Sequence, residues 1–207
     1  MRRILFAIYD RVRSVFSDLD KGLAAFQRGD YAVALEKWQP LADKGVAEAQ
    51  YNLGVMFANG LGVLQDHKEA IKWYHLAADQ GLALAGARLG EIYRSGSVVP
   101  QDDTEAIKWF RLAADQGNAE AQRNLGKMYE NGWGVTRNRM VAYALYSLSG
   151  AFNSIHNKAA LDDCSAIGKE MSVAEVEAGN ALMREMAKTK NPLTVLDAHL
   201  KMPMSNQ

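Results

Sequence analysis

The chain of 207 residues has a single cysteine, Cys164, which cannot form an intramolecular disulfide. A fold clipped together by disulfides is therefore excluded, and a reducing compartment is compatible with the sequence. No apolar run approaches the roughly 20 residues needed to span a bilayer. Charge of neither sign dominates, because 24 Lys and Arg stand against 24 Asp and Glu. A nucleic-acid partner, which calls for a basic surplus, is not expected. Catalytic fingerprints are missing too: there is no G-x-S-x-G, H-E-x-x-H, Walker or dinucleotide motif. The histidines His67, His75, His156 and His199 fall at no metal-ligand spacing. Cys164 lies beside Asp163 and Ser165 with no cation near it in sequence to activate a thiolate. Neither a metal, a cofactor nor a catalytic residue is expected.

What the chain does have is repetition. "EAIKWYHLAADQG" at Glu69–Gly81 returns 36 residues later as "EAIKWFRLAADQG" at Glu105–Gly117, and Gly45, Gly81 and Gly117 keep the same step. A fixed period in this range signals stacked supersecondary units, none of which buries its apolar face alone. Three segments precede or follow these in phase: Ala47–Val63, Ala83–Val99 and Ala119–Val135. In the first, Ala49, Leu53 and Phe57 are four apart and share one helical stripe. Gly54, Gly90 and Gly126 recur inside these helices, where glycine costs roughly 1 kcal/mol against alanine. That recurrence predicts a close approach by a neighbouring helix. Gly60, Gly96 and Gly132 should end the first helices, and Asp66, Asp102 and Asn138 should cap the second ones. The second helix carries Ala70, Ile71, Trp73, Tyr74, Leu76, Ala77 and Ala78, an apolar set broad enough to be covered on two sides. Each unit thus reads as an antiparallel helix pair held by stacking, since helices of roughly 12–15 residues are marginal alone. Lys72 and Lys108 repeat on the polar side of their helices and read as solvated.

The pattern closely resembles the Sel1-like repeat family, relatives of tetratricopeptide repeats with a longer loop between the paired helices. It does so over about residues 22–150, on "AEAQYNLGVMFANGLGV" at Ala47–Val63, "EAIKWYHLAADQG" after it, and their two successors. The edges depart from the pattern. "DYAVALEKWQPLADKG" at Asp30–Gly45 is a second helix joined to its partner, Leu19–Arg28, by the tight Gly29-Asp30 turn of an ordinary tetratricopeptide unit, and Pro40 should kink it. In the third unit Leu145 replaces the tryptophan. The resemblance implies an all-α, right-handed α-solenoid of antiparallel helix pairs.

The predicted organisation is an N-terminal amphipathic helix over 1–18, the repeat array over 19–150, capping helices over 151–187 and a flexible tail over 188–207. Arg2-Arg3 followed by the six apolar residues Ile4–Tyr9 is too short for a secretory signal. Leu5, Ile8, Val12, Val15 and Leu19 share a face, with Arg2, Arg3, Arg11 and Arg13 around it. The helix is expected to cap Leu23 and Phe26; residues 2–16 at a membrane surface and an eroded export signal are the alternatives. Ser154–Lys169 reads as helical, and Ser172–Glu175 is a capping box before the next helix. Pro192 and Pro203 should limit the remainder to a short helix with a frayed end.

In repeats of this type the first helix of each pair lines the concave face. Residues there that stacking does not use are Tyr51, Asn52, Val55 and Asn59; Arg88, Glu91 and Arg94; and Arg123, Asn124, Lys127 and Asn131. Basic and amide groups suit a carboxylate or an extended peptide, with Tyr51 as an apolar anchor. The resemblance therefore implies a non-catalytic, cytoplasmic adaptor or scaffold that binds a protein or peptide, with a periplasmic or membrane-peripheral location as alternatives. Cysteine-rich Sel1-like proteins are associated with binding or hydrolysing β-lactams. A β-lactam or peptidoglycan-related hydrolase is thus the enzymatic alternative, and the absent cysteine pairs speak against it. A peripheral membrane assembly factor is the third reading.

Overall fold

The computed structural model describes residues 2–151 and 158–201, with side-chain surroundings from Ser14 onward. The described residues form helices and their connections, with no strand among them. In chain order the helices are α1 (Arg2–Gln27), α2 (Tyr31–Asp43), α3 (Ala47–Asn59), α4 (His67–Asp79), α5 (Ala83–Ser95), α6 (Asp103–Asp115), α7 (Ala119–Asn131), α8 (Arg139–Ala151), α9 (Lys158–Gly168), α10 (Val173–Met186) and α11 (Pro192–Lys201). They fall into two compact units, 1–85 and 86–207, with the division just inside α5.

In the first unit α1 packs on α2, α2 on α3 and α3 on α4. Its core joins Ala25, Ala34, Trp38, Leu41, Ala42, Ala49, Leu53 and Met56. Gly22 lies under the Trp38 indole, whose Nε1 donates to the Leu19 carbonyl at 3.3 Å. Phe26 meets Tyr31 and Trp38 with ring centroids 5.3 and 5.5 Å apart. The expected cap over Leu23 and Phe26 does not form. Helix α1 runs unbroken through residues 2–27, and a continuous helix cannot fold back over its own last turns. Leu23 stays 46% exposed, while Phe26 is covered by α2 instead. The predicted boundary after residue 18 falls inside this helix. Pro40 sits within α2, which continues to Asp43.

The repeat itself is built as the periodicity predicts. A side-chain carbon at Gly54 would lie 2.5 Å from the Tyr74 ring, at Gly90 2.5 Å from Phe110, and at Gly126 2.7 Å from Tyr146. The close approach is thus an aromatic ring of the paired helix, set directly against bare backbone. Gly60 and Gly132 end α3 and α7 in the left-handed region, with φ of 67° and 73°. The loops then latch at equivalent points: Asp66, Asp102 and Asn138 donate their N–H to the carbonyls of Phe57, Tyr93 and Tyr129 at 2.8–2.9 Å. The same three side chains cap α4, α6 and α8 through the N–H groups of Glu69, of Thr104 and Glu105, and of Val141.

In the second unit α5 pairs with α6, and α8 packs against α7, α9 and α10. Leu145, standing where earlier units have tryptophan, is fully buried. The predicted helix over Ser154–Lys169 is described as α9 from Lys158, and residues 152–157 lie outside the described residues. Ser172 and Glu175 form the reciprocal capping box at the start of α10. Within the tail expected over 188–207, the short helix is α11, over Pro192–Lys201. Pro192, Leu193 and Leu196 of α11 are buried against the unit, and the Pro192 ring suits a first helical position that needs no N–H partner. Pro203 lies outside the described residues.

Leu89 is fully buried, so Leu89→Ala should cost ~2–5 kcal/mol. Gly90→Ala gains helix propensity but drives a methyl into the Phe110 ring. It should destabilise by on the order of 1–3 kcal/mol, and Phe110→Leu in the same chain should recover part of that loss. Denaturant melts of the three variants check this, and a Gly90→Ala chain as stable as wild type would contradict the ring contact.

Candidate interaction surface

The first helices bury one face and leave the other half open. On α3, Ala49, Leu53 and Met56 are fully buried, while Tyr51, Asn52 and Val55 are half-buried and Asn59 is exposed. The Tyr51 ring tilts against Tyr74 at 5.8 Å. Asn59 donates to the Val55 carbonyl at 2.8 Å, and Asn131 to the Lys127 carbonyl at 2.9 Å. Both amides thereby satisfy the last turns of their own helices.

The basic residues that stacking was not expected to use are mostly engaged. Arg123 Nε donates to Asp163 of α9 at 2.6 Å, and both side chains are half-buried. The idea that Arg123 plays no part in packing is therefore corrected: it ties α7 to α9. Arg88 pairs with Glu91 at 2.7 Å on its own helix. Burial pushes the Glu91 carboxyl above its ordinary range; Arg88 opposes this and Glu120 of α7 reinforces it. The Arg94 guanidinium lies 3.7 Å above the Trp133 ring, with Nε 3.8 Å from Asp103. It braces the loop after α7 against α6. The side chains of Asn52, Asn124 and Lys127 have no hydrogen-bond or ion-pair partner among the described residues. These, with Tyr51 and Val55, are the positions at which the two units still offer unspent chemistry.

Several polar contacts lie outside the expectations drawn from the repeat pattern. Gln50 donates to the Ala42 carbonyl at 3.2 Å, and its oxygen accepts from Gln80 at 2.7 Å. Gln122 repeats the first bond, to Ala114 at 3.2 Å. The recurring "AEAQ" at residues 47–50 and 119–122 was the available signal. Arg111 pairs with Asp197 of α11, and burial raises the neighbouring Tyr129 phenol above its ordinary value. Tyr146 donates to Glu130 at 2.6 Å, and burial together with that carboxylate raises its phenol as well.

Elsewhere, Lys72 and Lys108 pair with Glu69 and Glu105 at the surface. His67 opens α4, His75 lies two turns further on, and His199 is on α11; His156 lies outside the described residues. No group of His, Cys, Asp and Glu among the described residues could hold a metal ion. Cys164 is half-buried, with Sγ 3.1 Å from the Ser147 hydroxyl.

Two neighbouring charges on α7 should therefore behave differently. Arg123→Ala leaves Asp163 unpaired and should cost about 1–2 kcal/mol, with faster hydrogen exchange in α9. Lys127→Ala should stay within about ±0.5 kcal/mol. Equal stability of the two variants would remove Arg123 from its structural role.

Comparison with known proteins agrees with this architecture. The Sel1 repeat model matches residues 47–82, 83–118 and 119–151, somewhat more than half of the chain. The crystal structure of a Sel1 repeat protein from Oxalobacter formigenes is 37% identical with a TM-score of 0.57, over 63% of this chain and 98% of that one. The structure of c5321, a protective antigen present in uropathogenic Escherichia coli strains and displaying an SLR fold, is 22% identical with a TM-score of 0.53. The match covers 99% of this chain but 52% of that one, so the chain spans about half the antigen's length and the likeness is one of fold. No curated protein matches the chain. Sel1 repeat proteins are generally protein-interaction scaffolds without catalysis. With three consecutive repeats matched and the ring-on-glycine helix pairs in place, this all-α repeat chain belongs to the Sel1 repeat family.

Proposed function

We propose that the chain is a non-catalytic adaptor that holds a partner protein or extended peptide on the open faces of its first helices. One observation supports this most directly. Packing consumes Arg88, Arg94 and Arg123, yet leaves Asn52, Asn124 and Lys127 without partners and Tyr51 and Val55 half-open. Amide and ammonium groups at such positions can bond a peptide backbone or a carboxylate. Tyr51 supplies an anchor of large area and low entropic cost. The lone Cys164 suits a reducing compartment, and a cytoplasmic place of action is part of the proposal.

The test is partner recovery. Tyr51→Ala with Asn52→Ala should lower recovery of a copurifying protein at some cost in stability, since the Tyr51 ring also rests on Tyr74. Separately, Asn124→Ala with Lys127→Glu should lower it while leaving the melt within about ±0.5 kcal/mol per site. The Lys127→Glu loss should be larger at low salt, where attraction is least screened. Equal recovery by both variants and wild type at two salt concentrations would overturn the proposal.

A second reading concerns α1, which at 26 residues is twice the length of α2, the helix it packs on. At 1.5 Å per residue it extends roughly 20 Å further than its partner. Its described part leaves Phe16 64% exposed. In sequence the basic residues Arg2, Arg3, Arg11 and Arg13 flank an apolar spacing of the kind that lies on anionic bilayers. Arg11→Glu with Arg13→Glu should abolish co-sedimentation with vesicles containing phosphatidylglycerol and leave the melt unchanged. Wild-type chain that stays in the supernatant would end this reading.

A further inference from the structure

The last helix sits on the second unit much as a bound peptide would. Helix α11 has ten residues and buries a single face, Pro192, Leu193 and Leu196. Arg111 of α6 grips both oxygens of Asp197 at 2.5 and 2.6 Å. One turn further along α6, Asp115 accepts the backbone N–H of Leu193 at 3.0 Å. The receiving surface thus holds a cation for an acidic side chain and a carboxylate for the N–H groups at a helix start. These two marks read the direction of a helix as well as its charge. One repeat earlier the positions of Arg111 and Asp115 are His75 and Asp79. The guanidinium is therefore particular to this place and not part of the repeat.

The occupant also fits incompletely. Beside the start of α11 a cavity of about 410 Å³ is lined by Gln122, Leu148, Met186 and Pro192, among others. Gln122 is 1% exposed, and its side-chain oxygen has no partner among the described residues. The equivalent oxygen of Gln50 accepts from Gln80. The position that would supply the donor here, 36 residues after Gln116, is Phe152, which has no polar side-chain group. A natural helix docked by two leucines, one ion pair and one cap, over unfilled space, is held far less firmly than the repeats beneath it.

We propose that this slot, made by α6, α7 and α10, is the docking site for a helical segment of a partner protein, and that α11 occupies it in competition. The fitting segment carries two apolar residues three positions apart and an acidic residue directly after the second, as Leu193, Leu196 and Asp197 do. A side chain longer than that of Pro192, bearing an N–H donor, would fill the cavity and reach towards Gln122. This deepens the adaptor reading by naming a second kind of contact, and it rests on that reading. Because α11 must leave first, the apparent affinity for any outside helix is reduced by the fraction of chains with the slot open.

The experiment uses the full chain and, as probe, a fluorescein-labelled peptide of residues 190–201, read by anisotropy. Asp197→Arg in the chain loosens its own helix and leaves the slot intact, so it should bind the peptide about tenfold or more tightly than wild type does. Leu196→Ala, which weakens α11 by a different contact, should change affinity in the same direction. Arg111→Asp should not bind the natural peptide but should bind one carrying arginine in place of Asp197. That exchange of charge is a readout a merely structural ion pair would not produce. No binding to either loosened chain, or equal binding by wild type, Asp197→Arg and Arg111→Asp, overturns the proposal. Since the probe is the chain's own segment, that result would leave the first-helix surfaces to be judged by partner recovery alone.

Discussion

An aromatic ring resting on a glycine is the contact on which each helix pair depends. It occurs with Trp38 on Gly22, Tyr74 on Gly54, Phe110 on Gly90 and Tyr146 on Gly126. Each helical glycine gives up roughly 1 kcal/mol of helix propensity. Burying an aromatic side chain returns about 1.5–3 kcal/mol, so the pair is favourable only when the ring reaches the backbone. That requirement sets how closely the two helices of a pair approach. It also makes the loop between them a spacer of constant length: 20 residues separate glycine from ring in the three later pairs and 16 in the first. The tight Gly29 turn and the longer, latched loops are two ways of bringing the same ring to the same place.

The ring's polar edge then decides what else each pair must provide. Tyr146 buries a hydroxyl, which donates to Glu130. Phe110 has none, and the position matching Glu130 one repeat earlier is Arg94, which is spent on Trp133 and Asp103 instead. The same place in the repeat thus satisfies a buried phenol in one unit and braces a loop in the next. Variation between copies at half-buried positions is therefore not by itself a sign of ligand specificity. Much of it answers local demands for hydrogen bonds.

This explains which features were legible in the sequence. Helix ends, caps, glycine approaches and the buried stripe recur every 36 residues, because each is dictated within one pair or by the next one. The predicted roles of Gly54, Gly60, Asp66 and Leu53 needed only that local logic. The open faces were harder. Arg123 looks free because its partner, Asp163, is remote in sequence and arrives from α9, 40 residues on, while the nearby Glu120 does not take it. Arg111 and Asp197 are 86 residues apart. Such bonds are made once, between the array and the helices that follow it, and so leave no periodic trace. The continuity of α1 was hidden for a related reason: an amphipathic stripe is the same whether its helix ends at residue 18 or runs on to residue 27.

The helices beyond the array change what the array has left to offer. A repeat surface standing alone would present Arg111 and Arg123 to solvent. Here α9 and α11 neutralise both, and the pairing is strongest where both partners are withdrawn from water. A partner that competes for Arg123 must expose Asp163 and detach α9, which itself buries Ala160 and Ile167. A partner that competes for Arg111 must displace α11, a ten-residue helix that buries Pro192, Leu193 and Leu196. The two arginines are chemically alike and lie on adjacent helices, and uncovering either one also exposes the apolar residues of the helix that carries its carboxylate. Accessibility to a rival carboxylate is thus set less by the arginine than by how much apolar surface leaves with its present partner.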